Sequence, residues 1–156
     1  MNLVIYSHKY QALLEAFFLE DDSFSKHPKV VLEEGFSPET FHPVLGFVQG
    51  LLVAFFVLDE GADKFLYTDK KNSLLLRSFS TDSRYTRRGF ARSALERIPG
   101  FVKSTYPSID TLVLGVNEEN LPAIGLYQSF GFMDTGRTYL GKKGWQRIFE
   151  LPLFAG

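Results

Sequence analysis

The sequence predicts an α/β (α+β) fold, and three observations carry that reading. Short apolar runs suited to strands alternate with segments whose apolar residues recur at helical spacing. The order along the chain is strand, helix, short helix, three strands, helix, strand, helix and two strands, with no internal repeat and no low-complexity segment. With 156 residues, 45% of them hydrophobic, the chain is long enough for one sizeable core and short of two, so 1–156 is expected to be a single domain. Sixteen phenylalanines make that core aromatic-rich.

Leu3-Val4-Ile5 is a strand-like run, and Leu13, Leu14, Phe17 and Phe18 repeat as one face of a helix. Between Asp21 and Thr40, polar and turn-forming residues surround Val30-Val31-Leu32, which predicts a short helix between two loops. Val44 to Val48 and Leu51 to Leu58, joined by Gln49-Gly50, read as a hairpin, with turns at 59–63 and 69–72. A strand from Leu74 to Thr81 leads through Tyr85-Thr86-Arg87-Arg88-Gly89-Phe90-Ala91-Arg92 into a helix marked by Phe90, Ala94, Leu95 and Ile98. Pro99-Gly100 should end or kink that helix near Arg97, because an interior proline costs about 3 kcal/mol, with a second turn reaching about Thr105. Asp110 to Val116 is a short buried strand. Asn117 to Asn120 then precedes a helix punctuated by Pro122 and Gly131. Two last strands, around Arg137 to Leu140 and Gln146 to Leu153, flank Gly141-Lys142-Lys143-Gly144.

Composition excludes several functions. A formal net charge of -1 opposes a protein that coats nucleic acid, which needs a clear excess of lysine and arginine. Without cysteine there is no disulfide framework, thiolate catalysis or cysteine metal site, and a cytoplasmic setting fits. His8, His27 and His42 lack metal-ligand spacing, so no metal is expected. The N-terminus does not read as a signal peptide, and the Leu51 to Leu58 run is too short to span a bilayer, so no membrane partner is expected. The exposed final strands suggest edge pairing into a homodimer.

Charge is unevenly distributed. Glu15, Glu20, Asp21, Asp22, Glu33, Glu34 and Glu39 are opposed only by Lys26 and Lys29, whereas Arg84, Arg87, Arg88, Arg92, Arg97 and Lys103 are opposed only by Glu96. Two solvated faces of opposite sign would account for this. So would an anion site facing a site for a cationic ligand. Gly89 sits at a predicted helix entrance, where unpaired amides and the helix dipole favour a phosphoryl oxygen and glycine lets the anion approach. Ala123, Leu126, Tyr127 and Phe130 fall on one helical face. The Tyr127 hydroxyl there either meets a backbone carbonyl in the core or serves as a proton donor at the wall of a cleft.

These residues carry a resemblance. Thr86-Arg87-Arg88-Gly89-Phe90-Ala91 resembles the Q/R-x-x-G-x-G/A acyl-CoA signature of the GCN5-related N-acetyltransferase superfamily. Asn117 to Phe132 resembles its N-x-x-A-x-x-L-Y-x-x-x-G-F segment, one strand later. The likeness is explicit from about Leu74 to Phe132, and the element order extends it over the chain. It implies a mixed, mostly antiparallel central sheet of about six to seven strands with helices on both faces, and transfer of an acetyl group from acetyl-CoA to a primary amine by direct attack. The resemblance further implies that Arg87, Arg88, Gly89, Phe90, Ala91 and Arg92 hold the CoA pyrophosphate and that Phe79, Ser80 and Thr81 pair with the pantetheine arm. Asn120 would contact the cofactor and Tyr127 would protonate the departing thiolate. Asn120 also suits a helix cap, and Phe79 and Thr81 also suit ordinary strand positions.

The sequence departs from the family pattern at Thr86, where glutamine or arginine is usual, so that contact is weaker or falls to Arg84 or Arg87. Ala91 stands where glycine is commoner, a change the pattern tolerates. Leu75 stands where some members place a carboxylate base, leaving Glu33, Glu34, His42 and water at Arg77 as candidates to accept the amine proton. A strand amide would stabilise the thioester oxygen, a contribution of roughly 3 kcal/mol where such a donor is preorganised. The acidic Glu15 to Glu39 region lies where the family builds its acceptor side, which points to a cationic small-molecule or peptidyl amine. The absent base keeps a second reading alongside the enzyme, a non-catalytic acyl-CoA-binding sensor.

Overall fold

The computed structural model describes residues 1–34 and 37–153. Seven strands form one sheet: β1 (Asn2–Ile5), β2 (Phe41–Val48), β3 (Leu51–Asp59), β4 (Ser73–Thr81), β5 (Thr111–Asn117), β6 (Met133–Gly141) and β7 (Gly144–Pro152), in the spatial order β1-β2-β3-β4-β5-β7-β6. Every neighbouring pair is antiparallel except β4 and β5. Helices α1 (Gln11–Glu15), α2 (Pro28–Glu33), α3 (Phe90–Thr105) and α4 (Leu121–Phe130) complete the fold.

Alternation along the strands sorts two cores onto the two faces of the sheet. Val44, Phe56, Leu58, Leu74 and Leu76 pack with Leu95, Ile98 and Val102 of α3 and with Ile124 and Tyr127 of α4. On the other face Leu45, Phe55 and Val57 pack with Leu14, Phe17 and Val31, which brings α1, α2 and the segment joining them over β2 and β3. Further along that second face, Leu75, Val113 and Ile148 carry Tyr67 and Tyr139. Helices on both faces of a mixed sheet agree with the expected fold.

Two helices differ from their sequence reading. α1 ends at Glu15, and of the apolar residues expected on one helical face only Leu14 and Phe17 are buried, while Leu13 and Phe18 are exposed. Five residues cannot carry a helical face of that length, and a preceding 3-10 turn at His8–Tyr10 takes up part of the chain. α3 reaches Thr105 as expected, but it does not end near Arg97 and runs as one helix through Pro99. Ile98 and Val102 are 1% and 0% exposed on the same face as Leu95. Burying two such side chains contributes about 1.5–3 kcal/mol each, enough to offset the proline.

The sheet opens at its one parallel junction. β4 and β5 pair only through Ser73, Leu74 and Leu75 against Thr111, Leu112 and Val113. Beyond these residues β4 stays with β3 and β5 stays with β7, so the strands part. β4 also carries a bulge: its register against β3 shifts between Phe55 and Val57, and Ser78 takes φ +57°.

Candidate active site

The parting of β4 and β5 makes a cleft of about 470 Å³ through the sheet. Arg77, Phe79, Ser80 and Thr81 line it from β4, Leu114, Gly115, Val116 and Asn117 from β5, and Ala123, Leu126 and Tyr127 from α4. Ala91 and Asn120 stand at the starts of the two helices beside it.

α3 begins at the cleft with Gly89 as its N-cap at φ +76°, and nothing lies within 4 Å of where a Cβ would project. Arg87 also has positive φ, at 63°. Alternating backbone conformations of this kind turn successive amides toward one point, the arrangement that receives a phosphate. Arg87, Arg88, Gly89 and Arg92 are exposed there. Arg88 lies over the Tyr85 ring at 5.7 Å, Arg92 donates to Ser129 Oγ at 3.1 Å, and Phe90 packs edge-on against Tyr85 at 6.5 Å. Arg84, expected as one substitute for Thr86, is engaged elsewhere: its guanidinium donates to Asp82 and to the Ala16 carbonyl.

Tyr127 is buried at the cleft wall, edge-on to Phe79 at 6.4 Å and to Phe132 at 5.6 Å. Its hydroxyl makes no hydrogen bond to a described residue, so the backbone-carbonyl partner of a core tyrosine is not found. Burial pushes its pKa far above the ordinary phenol value, so it stays protonated at neutral pH. Ser80 is 7% exposed, and its Oγ is buried without a hydrogen-bond partner. Ser25 Oγ donates to the Phe79 carbonyl at 3.2 Å, so the loop before α2 already uses one acceptor on the β4 edge. Asn120 caps α4 through Oδ1, which accepts from the Ala123 amide at 3.4 Å.

The candidate bases separate. His42 bonds Glu60 at 2.6 Å and borders a different cavity, of about 260 Å³, with Tyr6 and Phe41. Glu33 does not line the cleft, whereas Glu34 does and is ion-paired with Lys26. Arg77 also lines it and donates to Asp59 and Asp63, each at 3.0 Å. Burial works against the Arg77 charge, and the carboxylates of Asp63 and Asp59 outweigh it. Glu15, Glu20, Asp21, Asp22, Glu33, Glu34 and Glu39 are all exposed, and of these only Glu34 lines the cleft. Among the described residues the acidic segment therefore reaches the cleft lining at Glu34, and at the cleft-lining Lys143 through Asp22 and Asp21.

Tyr67 and Gln146 line the cleft and were not among the sequence candidates. They meet across 79 residues of chain, which leaves no local pattern to read. The available signal was Gly115 inside an otherwise apolar strand, since a strand glycine marks a close approach.

A sheet parted at a parallel junction, with helix starts on both sides of the gap, is a fold this chain shares with solved acetyltransferases. The family model described as "Acetyltransferase (GNAT) family" matches residues 7–132, and the chain belongs to that family. With membership come an acetyltransferase activity and acetyl-CoA as cosubstrate. The chain is 32% identical over 153 residues to the Uncharacterized N-acetyltransferase YbbJ of Bacillus subtilis (strain 168), covering 96% of each. Its fold resembles the ribosomal-protein-S18-alanine N-acetyltransferase of Escherichia coli with a TM-score of 0.70 and 20% identity, over 99% of this chain and 96% of that one. The aminoglycoside acetyltransferase AAC(6')-Ib, solved with coenzyme A, matches with a TM-score of 0.73 and 12% identity, over 97% and 94% of the two chains. The residues present fit acetyl-CoA: α3 starts at an exposed Gly89 with no side-chain cap, and β4 has an edge without a described strand neighbour beyond Leu75.

No helix among the described residues is long and apolar enough to cross a membrane, and no described group of His, Asp or Glu side chains could hold a metal ion.

Proposed function

We propose that this protein transfers an acetyl group from acetyl-CoA to a primary amine by direct attack, with the β4–β5 cleft as the reaction site and the reducing cytoplasm as its setting. The observation that carries the reading is the cleft itself. It connects the amide-rich start of α3 to a buried, protonated phenol whose oxygen no described residue uses.

Acetyl-CoA supplies the activated acetyl thioester. Arg87, Arg88, Gly89, Phe90, Ala91 and Arg92 hold the pyrophosphate through backbone amides and charge. The free edge of β4 at Phe79, Ser80 and Thr81 takes the pantetheine arm, with Ser25 turning away from the Phe79 carbonyl. Asn120 retains its side-chain amide nitrogen for the cofactor while Oδ1 caps α4. Tyr127 keeps its proton at neutral pH and gives it to the leaving sulfur. The amine must lose a proton before attack. Among the candidates at the cleft, Glu34 receives it directly or water between Glu34 and Arg77 relays it.

A thiol-release screen of acetyl-CoA against a panel of primary amines tests this. One or more amines should raise thiol release well above hydrolysis, with intersecting double-reciprocal lines for the two substrates. Binding of acetyl-CoA with no amine turned over would instead favour a sensor.

A further inference from the structure

One wall of the cleft is built around a single amide. Gln146 on β7 lies across the sheet between two glycines: a Cβ at Gly115 would sit 2.2 Å from Gln146 Oε1, and one at Gly141 would sit 2.6 Å from Gln146 Nε2. Any larger residue at either place would displace the amide. The same Cβ at Gly115 would come within 2.4 Å of the Tyr67 ring, so one glycine makes room for both groups. Tyr67 donates its hydroxyl proton to Gln146 Oε1 at 3.1 Å, and its ring is braced by Tyr139 at 5.0 Å between centroids. Burial keeps the Tyr67 phenol protonated, which fixes it as the donor. The amide is thereby oriented with Oε1 toward Tyr67 and Gly115 and Nε2 toward Gly141, at the foot of the Lys142–Lys143 turn, where it makes no hydrogen bond to a described residue. Strand glycines weaken a sheet by losing backbone entropy and side-chain packing. Two of them flanking one polar side chain point to the placement of that amide.

Most of the charged side chains that line the cleft are cations. The described residues lining the cleft include the cations Lys26, Arg77, Lys142 and Lys143 and the single carboxylate Glu34. Lys26 is paired with Glu34, and Arg77 with Asp59 and Asp63. Lys142 and Lys143 form no ion pair among the described residues, although Lys143 Nζ donates to the Asp22 carbonyl at 2.7 Å and its charge acts on the neighbouring Asp21 carboxylate. Both stand in the β6–β7 turn, within four residues of Gln146 on the same hairpin. This end of the cleft therefore presents donors and positive charge.

We propose that Gln146, set by Tyr67 between Gly115 and Gly141 and backed by Lys142 and Lys143, recognises a carboxylate on the amine acceptor. The substrate class is an amine that carries a carboxylate a few atoms from the nucleophile, whether a free amino acid or a peptide with an acidic side chain. This deepens the reading of the protein as an amine acetyltransferase and rests on it. Gln146 is a specificity residue, and Gly115 and Tyr67 are positioning residues that act through it.

The test pairs turnover with binding. Wild-type protein and the variants Gln146→Glu, Gln146→Ala and Gly115→Ala are assayed with acetyl-CoA and with matched amines, each as its free carboxylate and as its amide. β-Alanine and β-alaninamide form one arm, and peptides with glutamate or glutamine beside the N-terminus form the other. Binding of the same amines to the CoA-loaded protein is measured by calorimetry. Wild type should favour the carboxylate forms. Gln146→Glu should raise their KM and Kd by about tenfold or more, as expected for losing a hydrogen bond to a charged group, and should leave the amides within about twofold. Gln146→Ala and Gly115→Ala should each erase the preference, and acetyl-CoA affinity, which reports folding, should be unchanged throughout. Equal KM and Kd effects on carboxylate and amide, or no effect, would overturn the carboxylate site even with turnover intact. Carboxylate binding that depends on Gln146, without turnover of any amine, would uphold the site and overturn the transferase reading. Absence of both turnover and selective binding would overturn both.

Discussion

Tyr127 and Asp82 show two ways in which burial sets the chemistry of a single side chain. In Tyr127 burial acts alone and holds the phenol neutral. Tyr127→Phe should therefore lower kcat by roughly 10²-fold, the ordinary scale of a general acid, with acetyl-CoA affinity preserved. Stopped-flow thiol release and equilibrium binding separate those two effects. In Asp82, which is 0% exposed, burial would raise the pKa, but the Arg84 side chain and the Arg84 and Phe18 amides outweigh it and hold the carboxyl below its ordinary range. A depressed carboxyl binds fewer protons in the native than in the unfolded state, so its stabilisation is complete above pH ~4 and is lost as pH falls through the native value. Asp82→Asn should reduce stability at neutral pH by on the order of 1–3 kcal/mol and flatten the acid limb of the stability profile, measured by urea unfolding from pH 7 to pH 3. At this scale the sequence made Tyr127 and Gly89 legible, because both sit in local patterns. Asp82 has a local partner in Arg84, but its bond from the Phe18 amide spans 64 residues and that of Gln146 with Tyr67 spans 79, and only the folded sheet brings those groups together.

Most strands and α4 were legible from period and punctuation, since Pro122 opens α4 and Gly131 closes it. The extent of α3 to Thr105 was legible, but its continuity through Pro99 was not, because local and tertiary preferences conflict within it. A proline costs its helix a hydrogen bond, but Ile98 and Val102 gain more by continuing the buried face. Pro99→Ala removes the conflict. Allowing for the looser unfolded chain that results, it should stabilise the protein by about 1–2 kcal/mol, and for a chain of this size raise Tm by roughly 2–8 °C. Calorimetry would record the change, and a lower Tm would mean that the proline shapes α3 for packing. The junction of β4 and β5 was hidden for a different reason. Sequence reading marks where a strand begins and ends, not where its neighbour departs, and Leu75 and Val113 carry no mark of being the last paired residues.

At the scale of the molecule, the parted strands divide the sheet into β1 to β4 on one side and β5 to β7 on the other, joined by three residue pairs. The β6–β7 turn reaches back over the gap, where Lys143 meets the Asp22 carbonyl. Past Leu75 and Val113 each inner strand has a sheet partner on one flank only. Alternate backbone amides of 78–81 and 114–117 therefore face the gap, where no strand shields them from isotope exchange. A pantetheine arm lying against β4 would act as a temporary eighth strand, slowing deuterium uptake at 78–81 by tenfold or more while leaving Leu74 and Leu112 unchanged. Unaltered uptake at saturating CoA would place the arm elsewhere. The parted junction thus gives the protein an isotopic footprint for its cofactor, readable by mass spectrometry before any acceptor has been identified.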